Sequence, residues 1–123
     1  MQKILIIEDE PTILLGLKDE LSEYYTTFTA TNGETGLEFA LSEQPDLILL
    51  DLVLPDINGI EILKKVRKEK GISGIPFFIL TNYTDPDLEK EGKKLKVIKY
   101  LLKTDLNPSQ LINSIEKWLK KKK

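Results

Sequence analysis

The sequence predicts an α/β domain built on a doubly wound, five-stranded parallel sheet, and three observations predict it. Apolar runs of strand length alternate with segments of helical periodicity five times in 123 residues. Two of those runs, Leu47-Ile48-Leu49-Leu50 and residues 75–80, lack polar alternation, as expected of strands covered by helices on both faces. No linker, repeat or low-complexity segment interrupts the order, so one domain with right-handed crossovers follows. With 41% apolar residues, the chain can bury a core without disulfide or metal staples.

Residues 3–7 are the first strand, a largely β-branched run closed by Glu8-Asp9-Glu10. Pro11 suits a first helical turn, and Leu14, Leu17 and Leu21 form the apolar stripe of that helix. Residues 25–30 are a short second strand. Thr31 and Glu34 then have capping-box spacing and open a helix to about residue 42, which Gln44-Pro45 breaks. The third strand is 47–51, ending at Asp51; past the Pro55-Asp56-Ile57-Asn58-Gly59 loop a helix over about 58–68 turns Ile62 and Val66 inward. Residues 71–74 make a turn, residues 75–80 the fourth strand, and Thr81 ends it. Asp85-Pro86 opens a mostly charged helix to about residue 94, the element with the fewest apolar positions. Residues 97–102 are the fifth strand, ended by Lys103. In Asn107-Pro108-Ser109-Gln110 a cap, a proline at the first helical position and a Gln three residues after the cap start the last helix, with Leu111, Ile115, Trp118 and Leu119 on one face.

Cys and His are both absent, which removes disulfides, thiolate zinc sites and imidazole-base chemistry and leaves oxygen as the side-chain ligand on offer. No apolar run approaches the ~20 residues of a membrane span and no signal-peptide layout opens the chain, so a cytoplasmic location and no membrane contact are expected. The net charge of −2 hides a polarised chain: residues 1–62 carry 2 Lys against 13 acids, and residues 63–123 carry 16 basic residues against 7 acids. The lysines are spread over several helices with little aromatic interleaving, so direct nucleic-acid binding by this domain is not expected, and the lysines at 120–123 read as a solvated helix end.

In an open parallel sheet, ligands bind outside the carboxyl ends of the strands. Those ends carry Glu8 and Asp9, Asp51, Thr81 and Lys103. Singly, each has an ordinary reading: acids suit a helix start, an aspartate or threonine suits a strand end, and a lysine suits solvent. Together they fall on one edge. Carboxylates about 4 Å apart repel by a few kcal/mol unless a cation intervenes, so a divalent ion is implied. With oxygen ligands and an open loop edge Mg²⁺ fits best, and Mn²⁺ could substitute. Asp51 beside Mg²⁺, Lys103 and the Thr81 hydroxyl is a constellation for phosphoryl transfer to a carboxylate, in which Asp51 attacks phosphorus while the cations and the hydroxyl meet the phosphoryl oxygens.

Through Ile4-Leu5-Ile6-Ile7-Glu8-Asp9-Glu10-Pro11, Asp51-Leu52-Val53-Leu54-Pro55-Asp56-Ile57-Asn58-Gly59, Leu80-Thr81 and Tyr100-Leu101-Leu102-Lys103, nearly the whole chain resembles the CheY-like receiver domain of two-component response regulators. The resemblance implies a flavodoxin-like (βα)5 fold with strand order 2-1-3-4-5 and a single receiver domain over 1–123 with no output domain. It implies that Asp51 is phosphorylated by the phosphohistidine of a sensor histidine kinase or phosphotransfer protein. Mg²⁺ would be held by Glu8 (through water), Asp9, Asp51 and the Val53 carbonyl; Thr81 and Tyr100 would be the switch pair, and Lys103 would contact the phosphoryl group. Two positions depart from the commonest pattern. Asn82 stands where a small residue is usual, and Thr104 where a proline is usual, often after a cis bond that a non-proline residue resists by roughly 2.5–4 kcal/mol. Tyr100-Leu101-Leu102-Lys103 without that proline looks like the subfamily often fused to helix-turn-helix output domains.

The expected function is therefore a phosphorylation-dependent signalling switch, not a turnover enzyme on a separate substrate, acting on a downstream protein effector or an output domain. The alternatives are an aspartyl-phosphate phosphatase or phosphotransferase, against which Val53 stands in place of the second Asp of Asp-x-Asp, and a degenerate binding module, against which Asp51, Thr81 and Lys103 stand intact. Val53 and Tyr83, two residues past Asp51 and Thr81, would shield the phosphoryl group from water and slow its loss. A monomer or a weak, phosphorylation-enhanced dimer is expected, with Lys90, Lys93, Lys99 and Lys117 facing Asp87, Glu91 and Asp105 across a two-fold, since such surface pairs contribute under about 1 kcal/mol each.

Overall fold

A computed structural model describes residues 1–82 and 85–121. The chain runs β1 (Lys3–Ile7), α1 (Pro11–Leu21), β2 (Thr26–Ala30), α2 (Gly33–Glu43), β3 (Leu47–Asp51), α3 (Gly59–Lys68), β4 (Phe77–Thr81), α4 (Pro86–Lys94), β5 (Lys99–Leu102), a short 3-10 turn (Lys103–Asp105) and α5 (Pro108–Lys121). The strands form one parallel sheet in the order β2-β1-β3-β4-β5, the flavodoxin-like arrangement expected.

The strand period of two divides the core between two faces. Ile4, Ile6, Leu47, Leu49, Phe78 and Leu80 meet α1 and α5 through Leu14, Leu17, Leu21, Leu111, Ile115 and Leu119. Leu5, Ile7, Ile48, Leu50, Phe77 and Ile79 meet Ala40 of α2 and Ile62, Leu63 and Val66 of α3, with Leu88 packed alongside from α4. Every residue of β3 and β4 is buried, which accounts for their missing alternation.

Where boundaries differ from the sequence expectation, three do so for a clear local reason. The cap of α2 is Asn32, not Thr31: its Oδ1 accepts from Thr35 N at 2.8 Å, and the Gly33 and Glu34 N–H groups donate to Asp56 at 2.7 and 2.9 Å. Strand β4 starts at Phe77, because Ile75 N is spent on Ile72 O in the preceding turn and Pro76 has no N–H. Strand β5 starts at Lys99, because Lys96 adopts a left-handed φ of 62° and closes α4 with Lys96 N to Lys93 O and Val97 N to Gly92 O, the paired bonds of a Schellman motif.

The charged helix α4 forms as expected, capped by Asp85, whose carboxylate accepts from Asp87 N and Leu88 N, but Gly92 is its one buried residue. Of the charges expected to face one another across a two-fold, Glu91 pairs within the chain with Lys64 of α3 at 3.1 Å, and Lys99 donates to Ser114 at 2.9 Å.

The turn from β3 into α3 brings two stretches of backbone close together at the sheet edge. Gly59 N donates to Leu52 O at 2.9 Å, and a Cβ on Gly59 would lie 2.6 Å from Asp51 O and 2.7 Å from Leu52 Cα. Gly59→Ala should therefore destabilise the fold by about 1–3 kcal/mol, since backbone must move to admit the methyl. Gly16→Ala, on the exposed face of α1 with nothing within 4 Å, should instead stabilise it by about 0.5–1 kcal/mol. Urea unfolding of the two variants beside the parent checks both signs.

Candidate functional site

Parallel strands bring their carboxyl ends to one edge, and the order β2-β1-β3 makes the gap between β1 and β3 the switch point of the sheet. Glu8 and Asp9 leave β1 there and Asp51 ends β3. Lys103 follows β5 and reaches back across the edge.

Its ammonium spends three N–H bonds on three carboxylates: Glu8 Oε2 at 3.0 Å, Glu10 Oε1 at 2.9 Å and Asp51 Oδ2 at 3.0 Å. Glu8 is fully buried and Asp51 nearly so, while the Glu10 side chain is 48% exposed. Backbone groups hold the two buried acids from the other side, with Val53 N on Asp51 Oδ1 at 3.1 Å and Glu10 N on Glu8 Oε2 at 3.0 Å. Asp9 is exposed at the mouth, and one oxygen from each of Glu8, Asp9 and Asp51 lies within 4.8 Å of the others.

The charges do not balance in this arrangement. Burial raises Glu8 to about 7, against bonds from Glu10 N and Lys103 that favour its charged form. Burial likewise raises Asp51, against the Val53 N–H and Lys103. Burial opposes the charge on Lys103, but its bonds to Glu10, Glu8 and Asp51 outweigh that and hold its pKa above the ordinary lysine value. Glu8 Oε1 lies 2.9 Å from Lys103 Nζ but off hydrogen-bond geometry, and among the described residues it has no hydrogen-bond partner. An oxygen-only donor set with an unmet buried carboxylate oxygen fits a hard divalent cation.

Thr81 ends β4 one residue beyond the partner of Asp51 and is buried. With Tyr100, Leu52, Asp85, Leu88 and Leu102 it lines a cavity of about 160 Å³ under α4. Tyr100 points into that space: its hydroxyl donates to Leu88 O at 2.9 Å, and its ring covers Gly92, where a Cβ would collide with it. Burial raises its pKa.

Val53 is 60% exposed at the rim, and Asn82 is also exposed. Tyr83 lies outside the described residues. No cis peptide bond occurs among the described residues, so Lys103-Thr104 is trans and enters the 3-10 turn, with Leu106 N on Lys103 O at 3.4 Å.

Sequence reasoning missed two residues. Glu10 appeared as a member of an acidic run, with no signal that Lys103, 93 residues away, would take its carboxylate. Asp56 appeared as a loop residue, yet it anchors the β3-α3 loop to the start of α2, and those two N–H bonds lower its pKa.

A five-stranded parallel sheet in the order β2-β1-β3-β4-β5, with acids, a buried lysine and a threonine gathered at its carboxyl edge, has the flavodoxin-like architecture of CheY-like receiver domains. The model of the response regulator receiver domain matches residues 4–116, and the chain belongs to that family, whose general role is phosphorylation-dependent signalling in two-component systems. The chain is 34% identical over 119 residues to sporulation initiation phosphotransferase F of Bacillus subtilis, covering 96% of this chain and 94% of that protein. It is 40% identical over 116 residues to the nitrate/nitrite response regulator protein NarL of Escherichia coli, covering 91% of this chain but 52% of NarL, so it spans about half of that relative. Among solved structures, a CheY-like response regulator receiver domain protein from Methanospirillum hungatei superposes with a TM-score of 0.90 at 29% identity, covering 98% of this chain and 95% of that one. The Mn²⁺-bound form of response regulator Rcp1 superposes with a TM-score of 0.82 at 26% identity, covering 97% and 95%. Among the described residues no helix is long and apolar enough to cross a membrane.

The raised Glu8 has a pH signature. Between pH 4.5 and about 7 the folded chain keeps a proton on Glu8 that the unfolded chain has released, so without a cation this group's contribution to stability falls as pH rises through that window. Glu8→Gln should flatten that part of the profile. A cation competes with the same proton, so Mg²⁺ affinity should weaken as pH falls below about 7. Thermal unfolding and calorimetric Mg²⁺ titration across pH check the two signs.

Proposed function

We propose that this domain is a signalling switch that accepts a phosphoryl group on Asp51 from the phosphohistidine of a sensor kinase or phosphotransfer protein. One observation carries the reading: a buried Asp51 carboxylate is held between Val53 N and the Lys103 ammonium, with Glu8 and Asp9 oxygens in metal-binding range. The two bonds fix the plane of the carboxylate. An Asp51 oxygen attacks phosphorus and forms the new P–O bond as the donor's P–N bond breaks; the imidazole nitrogen keeps the bonding pair and takes a proton from solvent. Lys103 meets charge on the phosphoryl oxygens, and the Thr81 hydroxyl donates to one of them. Glu8, Asp9, Asp51 and the Val53 carbonyl would hold Mg²⁺ or Mn²⁺, which when bound supplies positive charge to those same oxygens.

A hydrogen bond drawn by the phosphoryl group onto Thr81 changes the wall of the cavity it shares with Tyr100, so this pair carries the signal to α4 and a protein effector or output domain. Residues 1–123 act as one receiver unit in the cytoplasm, where kinases charge their histidines from ATP. The domain catalyses its own phosphorylation and dephosphorylation rather than turning over a separate substrate. The likeness to a phosphotransferase along nearly its whole length favours a relay variant of the same reading, in which the group passes on from Asp51 to another protein.

With acetyl phosphate and Mg²⁺, intact mass should show one phosphoryl adduct on the parent and none on a folded Asp51→Asn variant; an adduct that persists in the variant rejects Asp51. Asp9→Asn should weaken Mg²⁺ by about tenfold in a calorimetric titration, because a charged ligand is lost. The exposed aliphatic rim predicts slow loss of the phosphoryl group. Val53→Asn, which offers a water a hydrogen-bonding seat, should speed decay by about threefold or more, and equal decay of parent and variant rejects the shielding role.

A further inference from the structure

The three carboxylates around Lys103 are not equivalent. Glu8 and Asp51 are buried, and each also accepts a bond from a backbone N–H, so neither can leave the ammonium without leaving a buried carboxyl oxygen short of a partner. Glu10 is half exposed and can pass from Lys103 to water with little loss. Its backbone is fixed, since its N–H donates to Glu8 and its carbonyl accepts from Leu14 N at 2.9 Å. It also sits at the N-cap of α1 yet makes no side-chain cap bond. An acid there ordinarily turns to the open N–H groups of the helix; this one turns to Lys103 instead.

All three N–H bonds of Lys103 are therefore occupied before any phosphoryl group arrives. A contact with a phosphoryl oxygen requires one to be released, and the bond to Glu10 is the least costly to break. Until then the Glu10 carboxylate adds a negative charge at the mouth, which opposes an incoming anionic donor.

We propose that Glu10 is a positioning residue that holds Lys103 through its third N–H and yields it to the phosphoryl group, and that its charge sets the rate at which anionic donors reach Asp51. The inference rests on Asp51 being the acceptor. The incoming group replaces Glu10 on Lys103 while Glu8 stays, so the ammonium moves little between the two states.

Glu10→Gln keeps an acceptor oxygen and removes the charge; Glu10→Ala removes both. At low salt, Glu10→Gln should gain phosphate from acetyl phosphate about fivefold faster than the parent, with the difference shrinking at high salt. With phosphoramidate, which carries less negative charge, the gain should be under about twofold. In the metal-free protein, the Lys103 ¹⁵Nζ resonance, assigned with Lys103→Arg, should shift in Glu10→Ala as one N–H bond passes to water. A structural loosening would change the rates equally for both donors at all salts, and that result, equal rates throughout or an unmoved Lys103 resonance overturns the role of Glu10 while labelling of the parent at Asp51 leaves the acceptor reading intact. A parent that takes no phosphoryl group, or a labelled Asp51→Asn, overturns both.

Discussion

One ammonium answering three carboxylates is the constraint on which the site depends. Glu8 and Asp51 are taken out of water by the sheet that presents them, and isolated charges in that position would unfold the edge or lose their charge to protons. Lys103 offsets part of this from 95 and 52 residues away along the chain. Only a parallel sheet delivers such a meeting, because it alone sends the end of every strand to the same side. The offset is incomplete, since burial still holds the Glu8 and Asp51 carboxyls above their ordinary values.

The ground under those charges is rigid. Asp51 closes a strand with no exposed residue, and the loop after it is tied at three points: Asp56 to the first N–H groups of α2, Asn58 Oδ1 to Ile60 N at 2.8 Å, and Gly59 N to Leu52 O. These bonds set where Val53 stands, and Val53 N in turn orients Asp51. The positions of Asp51 and Val53 thus follow from backbone contacts of the β3-α3 loop with α2 and with its own strand, and depend little on side-chain packing.

The far side of the site is built differently. Helix α4 buries one glycine and rests on the Tyr100 ring rather than on a row of its own apolar residues. Its carboxyl end is held by Arg67 of α3, which donates to Leu95 O at 2.7 Å and to Ser73 O and Ile75 O, with its guanidinium 5.1 Å from the centre of the Phe77 ring. Its amino end borders the cavity lined by Thr81 and Tyr100. A helix with one buried glycine, tied at its carboxyl end and leaning on the Tyr100 ring and on Leu88, has little apolar burial to hold its position, and it stands where the site meets the surface.

The sequence by itself determined what is local. Unalternating runs declared β3 and β4, leucine spacing declared α1, and Asn107 with Pro108 declared the start of α5, because strand burial, helix stripes and caps are written within a few residues. Glu8, Asp9, Asp51, Thr81 and Lys103 were legible as one set because strand order and the common carboxyl edge follow from the alternation of elements. Tertiary structure decided what depends on partners from elsewhere in the chain. Asn32 displaces Thr31 as the cap of α2 because Asp56 arrives from another loop to take the neighbouring N–H groups. Tyr100 turns inward because Gly92 leaves room and Leu88 O accepts the hydrogen bond of its hydroxyl, and Glu10 leaves its own helix for Lys103. The bonds of Asp56 to α2, Tyr100 to Leu88 and Glu10 to Lys103 have no period or motif, since each joins residues that only the folded sheet brings within hydrogen-bond reach.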